Sequence, residues 1–286
     1  MFGSQWWTQS AVDAKYREFR DVPHGAVVPS FLLGDTLAGS ILYLRGVNAS
    51  QNDQSTQAGW INGARLRVDL GYAQIPHILS YTTRTPYTQW SPGVFLLPDT
   101  LQRTNQDNPG AYPSTHDRPA QQHAAVPSRL PHRHRERAAP VRPTTGWQVE
   151  VTGSQRNRAG TKAWGAPFGF NSAIELVEPI QQRTSDGDVT ATCARARLRL
   201  QLGGGLSGFE NHVSTLFWDN PKRLTDRTSP TAYTNGDGSA AGQMDLYPDN
   251  RVRAAAWRSG SICHAPRCCR RRSDWPIIRR TTTGCR

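Results

Sequence analysis

No apolar run in this 286-residue sequence approaches the roughly 20 residues that a membrane-spanning helix requires. With a mean hydropathy of −0.62, a helical membrane protein is excluded. No apolar stretch of about 7 residues follows Met1, so a secretory leader is expected to be missing from this chain. Cysteine is scarce outside the C-terminal stretch: Cys263, Cys268, Cys269 and Cys285 lie there and only Cys193 elsewhere, which implies no disulfide framework. Cys193 is followed by Ala-Arg-Ala and no C-x-x-C-H occurs, so the chain should hold no covalent haem and no cofactor of its own. The Cys263-His264 and Cys268-Cys269 spacing fits no zinc finger. Asn235, Asp237, Asp245, Asp249 and Asn250 offer oxygen ligands, but not at EF-hand spacing, and such residues commonly form turns. Walker loop, nucleophile elbow and H-E-x-x-H are all absent, and His24, His77 and His212 have no evident catalytic partners. Neither enzymatic activity nor a metal site is expected.

Lysine is nearly absent too. Only Lys15, Lys162 and Lys222 interrupt an otherwise all-arginine set of 34 basic residues. The net charge of +12 suggests a nucleic-acid partner until it is located: Thr115 to Arg137 carries five Arg against Asp117 and Glu136, and Ala254 to Arg286 carries eight Arg against Asp274. Those segments supply +3 and +7, so the remainder is nearly neutral and nucleic acid is not an expected partner. Both segments lack helical or strand periodicity, and an Arg-, Pro-, Ala-, His- and Cys-rich composition is what a GC-rich gene yields in a wrong frame. Residues 115–137 and 254–286 are therefore expected to be out-of-frame translation.

What is present is alternation. Leu66, Val68, Leu70 and Tyr72 fall on one side of a strand, and Arg65, Arg67, Asp69 and Gly71 on the other. Ala194, Ala196, Leu198, Leu200 and Leu202 likewise alternate with Arg195, Arg197, Arg199 and Gln201. Further strands are expected through Ile41, Tyr43 and Arg45, through Trp147, Val149 and Val151, and from Phe209 to Trp218. Between them, Pro76 to Arg103, Asn157 to Pro179 and Asp219 to Asn250 look like long loops, and no helical period occurs. Short alternating strands with long polar loops predict an antiparallel all-β protein. Nine residues at about 3.3 Å each, tilted by about 45°, span roughly 20 Å, which suits a membrane barrel. Half of a soluble sheet would show the same pattern.

Several blocks resemble the outer-membrane β-barrels of MtrB/PioB type that accompany decahaem cytochromes. They are Lys15 to Gly25, Ile75-Pro-His77, Arg84-Thr85, Ser91 to Val94, Leu97 to Arg103, Phe168 to Asn171, Ile174 to Ile180, Val213 to Leu216, Trp218 to Pro221, Tyr233 to Ser239 and Tyr247 to Asn250. The resemblance implies an antiparallel transmembrane β-barrel in the cell outer membrane, surrounded by its lipid. Such a barrel sheathes a periplasmic multihaem c-type cytochrome for extracellular electron transfer, with an extracellular cytochrome as a further partner. Arg65, Arg67, Asp69, Arg195, Arg197 and Arg199 would then face a lumen, and Leu66, Val68, Leu70, Tyr72, Leu198, Leu200 and Leu202 would face lipid. Family barrels are longer than this chain, and the N-terminal Cys pair of some members is absent. The expected organisation is an incomplete N-terminal fragment: a periplasmic-side segment at 1–30, a partial barrel at 31–253 and the out-of-frame tail, unable to close or conduct. A general porin or a soluble β-sandwich binding module are the alternatives.

Overall fold

The computed structural model of the chain describes residues 2–7, 25–80, 84–108, 124–125, 128–129, 132–141, 146–167, 173–195, 198–226, 239–261 and 273–282. Strands β1 (Phe2–Trp7), β2 (Gly25–Leu37), β3 (Ser40–Ala49), β4 (Ser55–Asn62) and β5 (Leu66–Ile75) are followed by short strands β6 (Ile78–Ser80), β7 (Arg84–Thr85), β8 (Thr88–Ser91) and β9 (Val94–Leu96). Helix α1 (Asp99–Asp107) precedes β10 (Ala124–Ala125), β11 (Ser128–Arg129), β12 (His132–Val141), β13 (Trp147–Pro167), β14 (Ala173–Arg195) and β15 (Leu198–Asn211). The chain ends with β16 (Thr215–Asp219), β17 (Ala241–Asp245), β18 (Asn250–Ser261) and β19 (Ser273–Thr282).

Eleven strands form one antiparallel sheet in the order β1-β2-β3-β4-β5-β12-β13-β14-β15-β18-β19. Among the described residues β1 and β19 are opposite edges that do not pair with each other, so the wall is an open, incomplete barrel. Tight connections cluster at one end. The β2–β3 turn, for example, places Gly39 at φ 77, where glycine meets no steric penalty. The long excursions, 76–131 and 212–249, both leave from the opposite end.

Directly paired residues share a face, so the register defines two faces across the sheet. Leu33, Leu44, Ala58 and Leu70 form one row through β2 to β5, and Val151, Val189 and Gly204 another through β13 to β15. The opposite face carries Arg45, Gln57 and Gly71 in one row and Thr152, Asp188 and Gly205 in another.

Several expectations need correction. The run from Ala194 to Leu202 is not one strand: β14 ends at Arg195 and β15 starts at Leu198. Because the chain reverses between them, Arg195 pairs with Leu198 and Ala194 with Arg199, so Arg195 shares a face with Leu198, Leu200 and Leu202 and lies opposite Arg199. Arg65 sits in the exposed turn before β5, its N–H 3.2 Å from the Asn62 carbonyl, rather than on the strand. Residues 157–167 and 173–179 continue the paired strands β13 and β14, which hold 21 and 23 residues. Residues 76–103 and 219–250 are not plain loops, since the first contains β6 to β9 and the start of α1 and the second contains β17. Strands β12, β18 and β19 also pair within the sheet although their sequences lack alternation, because a ladder needs only backbone N–H and C=O groups. The expectations for Lys15 to His24, 115–123, 168–171, Arg197, 233–238 and Cys263, Cys268, Cys269 and Cys285 lie outside the described residues.

Both excursions fold together as a cap at one end of the wall. Strands β17, β16, β9 and β8 make a second sheet in that order, with β16 parallel to β9. The extended β13–β14 hairpin runs into this cap, and Leu176 and Val177 join Tyr87, Phe95, Leu97, Leu216 and Trp218 in its core. Trp164 stacks edge-on against Trp218 with centroids 5.4 Å apart. Pro98 opens α1 and Asp99 complements its first turn. Gln102 and Asn105, one turn apart, are 3% and 2% exposed. Their side-chain amides donate to the backbone carbonyls of Asn220 (2.9 Å) and Arg223 (2.8 Å), and of Pro221 (2.9 Å). Leu176 is fully buried, so Leu176→Ala should destabilise the cap by about 3 kcal/mol. The expected result is loss of amide-exchange protection in α1 with protection in β3 to β5 retained.

Candidate functional site

The two faces of the wall are chemically opposed. On the first, Leu33, Leu37, Leu42, Trp60, Leu70, Val151, Val189, Leu202, Leu206 and Trp257 are each at least 40% exposed. In water an apolar surface spread over so many neighbouring strands would drive association; against acyl chains it is satisfied. Leu66, Val68, Leu70 and Tyr72 share this face on β5, as Leu198, Leu200 and Leu202 do on β15. The apolar strip ends near Gly153, Gly187 and Leu206. Beyond it the same face turns polar, with Arg183 and Glu210 4.0 Å apart.

The second face carries the hydrogen-bonded polar groups, interspersed on β2 and β3 with exposed Leu32, Ile41 and Val47. Arg67 Nε donates to Asp69 at 2.6 Å. The Tyr43 hydroxyl also donates to Asp69, crossing β4 above Gly59, where any side chain would collide with the tyrosine ring. Arg45 Nε donates to Gln57 at 2.6 Å. Farther along, Asp186 accepts from Ser154 at 3.3 Å and from Ser207 at 2.6 Å, bridging β13 to β15. Arg67, Asp69 and Arg199 lie on this face; Arg65 and Arg195 do not. Sequence reading missed Tyr43 and Asp186 as ties, although a tyrosine registered opposite glycine is a visible signal for the first.

On β12, Arg133, Arg135 and Arg137 hold register positions opposite Gln74, Tyr72 and Leu70. At the cap, Asp219 accepts the Leu97 N–H at 2.8 Å, and the carbonyl of Asp219 accepts from the Tyr87 hydroxyl at 2.8 Å. Burial pushes the Asp219 carboxyl above its usual range, the Leu97 N–H opposes the rise, and the nearby Asp99 charge adds to it.

An open antiparallel sheet with one exposed apolar face and one polar face defines the wall of an outer-membrane β-barrel. The profile of the outer membrane beta-barrel porin family MtrB/PioB matches residues 34–253, and this chain belongs to that family. No curated protein matches the chain.

Asp219 generates a pH prediction. Its folded pKa lies above the unfolded value of 3.8, so the native state holds the proton more tightly and cap stability falls as pH rises from 3.8 through the folded value. Exchange protection of the Leu97 amide, corrected for intrinsic rate, should decline across that window. Asp219→Asn keeps an acceptor and should flatten the profile.

Proposed function

We propose that the wall sheathes a periplasmic multihaem c-type cytochrome, so that electrons cross the outer membrane along its haems to an extracellular cytochrome or acceptor. The barrel carries no redox group and performs no catalysis in this reading; it excludes lipid from the cytochrome and holds it across the bilayer. The carrying observation is the division of the sheet into an exposed apolar face and a hydrogen-bonded polar one. The polar face, with Arg67, Asp69 and Arg199, is the lumen side. Leu66, Val68, Leu70, Tyr72, Leu198, Leu200 and Leu202 meet lipid. Arg195, on the apolar face beside the tight-turn end, reaches the headgroup region by extending its side chain. Short turns then mark the periplasmic end and the cap the extracellular end. Against a soluble sandwich stands the single sheet layer, whose apolar face has no partner sheet among the described residues.

Leu70→Arg and Leu202→Arg should each cost about 2–4 kcal/mol of membrane insertion if placed near the midplane. Arg199→Gln should retain the membrane fraction and lose part of any bound cytochrome, read by haem staining after affinity purification. A detergent-free soluble monomer, or a membrane form without haem partner, would sink the reading. The family description supports a second reading, a porin for small solutes. Liposome swelling separates the two, because a cytochrome-filled barrel leaks little.

Residues 115–137 and 254–286 are proposed to be out-of-frame translation, supported by their arginine-rich, lysine-free composition and their lack of periodicity. Nucleotide sequencing across those codons tests this; an uninterrupted frame would refute it.

A further inference from the structure

On the apolar face of β14, β15 and β18, the strip ends toward the cap against arginine. Going that way, β18 presents Trp257, Ala255, Arg253 and Arg251 in turn. Arg253 pairs with Leu206, which is 62% exposed, and Arg251 pairs with Gly208. Both arginines are exposed. Two residues apart on one strand, their Cα atoms are about 7 Å from each other. Farther toward the cap, Arg183 Nη1 lies 4.0 Å from Glu210 Oε2, each side chain nearly half exposed. That pair balances its own charge. Among the described residues neither Arg251 nor Arg253 has a carboxylate partner, so the patch carries two excess positive charges.

The sheet beside these two arginines is open. Gly187 pairs with Leu206 and Ser185 with Gly208, and a side chain begun at Gly187 or Gly208 would meet no atom within 4 Å. Ser185 is exposed, and Gln155 pairs with it from β13, so neutral hydrogen-bonding groups stand next to the guanidinium groups. At a lipid boundary a phosphate suits such arginines, because it accepts two N–H groups at once and neutralises their charge. Sugar hydroxyls suit Ser185 and Gln155. Acyl chains suit Val189, Leu202 and Leu206, each at least 46% exposed on the same face. A zwitterionic phospholipid would instead bring its own cation against the arginines. We infer that this patch is a docking site for a phosphorylated glycolipid of the outer leaflet, its phosphate on Arg251 and Arg253 and its sugar over Gly208 and Ser185. The inference rests on the placement of the apolar face in lipid and of the cap outside, and not on a cytochrome.

The test reconstitutes the full chain in phosphatidylcholine vesicles that also contain bisphosphorylated lipid A, dephosphorylated lipid A or phosphatidylglycerol. After mild detergent extraction and affinity purification, retained lipid is measured by mass spectrometry. Bisphosphorylated lipid A should be retained about tenfold over each of the other two, the scale of one charge-assisted contact. This comparison on the native chain needs no variant. Arg251→Gln combined with Arg253→Gln should remove the preference, whereas lysine at both positions should keep it. Vesicle flotation reads insertion separately, and the glutamine variant should still float. A native chain that floats but retains the three lipids equally, or an undiminished preference in a floating glutamine variant, would overturn the inference and leave the barrel reading intact. A native chain that does not float would overturn both.

Discussion

A backbone N–H or C=O left unpaired in lipid costs several kcal/mol, and that constraint governs this structure. The eleven-stranded ladder meets it internally for its nine inner strands, each of which has a partner on both sides, whereas among the described residues β1 and β19 each have an edge without a strand partner in the sheet. Once the ladder is set, register decides which side chains meet which medium, because a slip of one residue exchanges the two faces. The ties on the polar side oppose such a slip: Tyr43 with Asp69 joins β3 to β5 across β4, and Asp186 with Ser154 and Ser207 joins β13, β14 and β15.

The cap follows different rules. It has an apolar core, and its buried polar groups are matched to backbone rather than to one another: Gln102 and Asn105 serve the carbonyls after Trp218, and Asn220 Nδ2 serves the Ser239 carbonyl at 2.6 Å. Main-chain acceptors are present whatever the sequence, so the specificity lies in the three amide side chains. The blocks Leu97 to Arg103 and Trp218 to Pro221, which carried the family resemblance, meet here and not in the wall.

The alternation of β5 was legible because Leu66, Val68, Leu70 and Tyr72 answer to one local periodicity. The reversal between Arg195 and Leu198 was not, because its connecting residues Ala196 and Arg197 include neither Gly nor Pro and the alternation runs through them unbroken. Residues 157–179 looked like a loop since Gly and Pro are frequent there, yet cross-strand pairing and packing on the cap keep 157–167 and 173–179 extended. Helix α1 is nine residues long and buries polar amides, so its pattern makes sense only with a partner segment far away in sequence. The polar ties of the wall were half visible: Arg67 and Asp69 stand two apart on one strand, whereas Tyr43 is joined to Asp69 only by register.

Gln102 and Asn220 are 118 positions apart, and the strands between them, β12 to β15, belong to the wall. A two-residue slip between neighbouring strands would preserve the faces while displacing one excursion from the other by about 7 Å, beyond hydrogen-bond reach. The amide contacts of α1 can therefore close only on a correctly assembled sheet. The cap contacts thus depend on the even-numbered registers to which the separation of apolar and polar faces is blind.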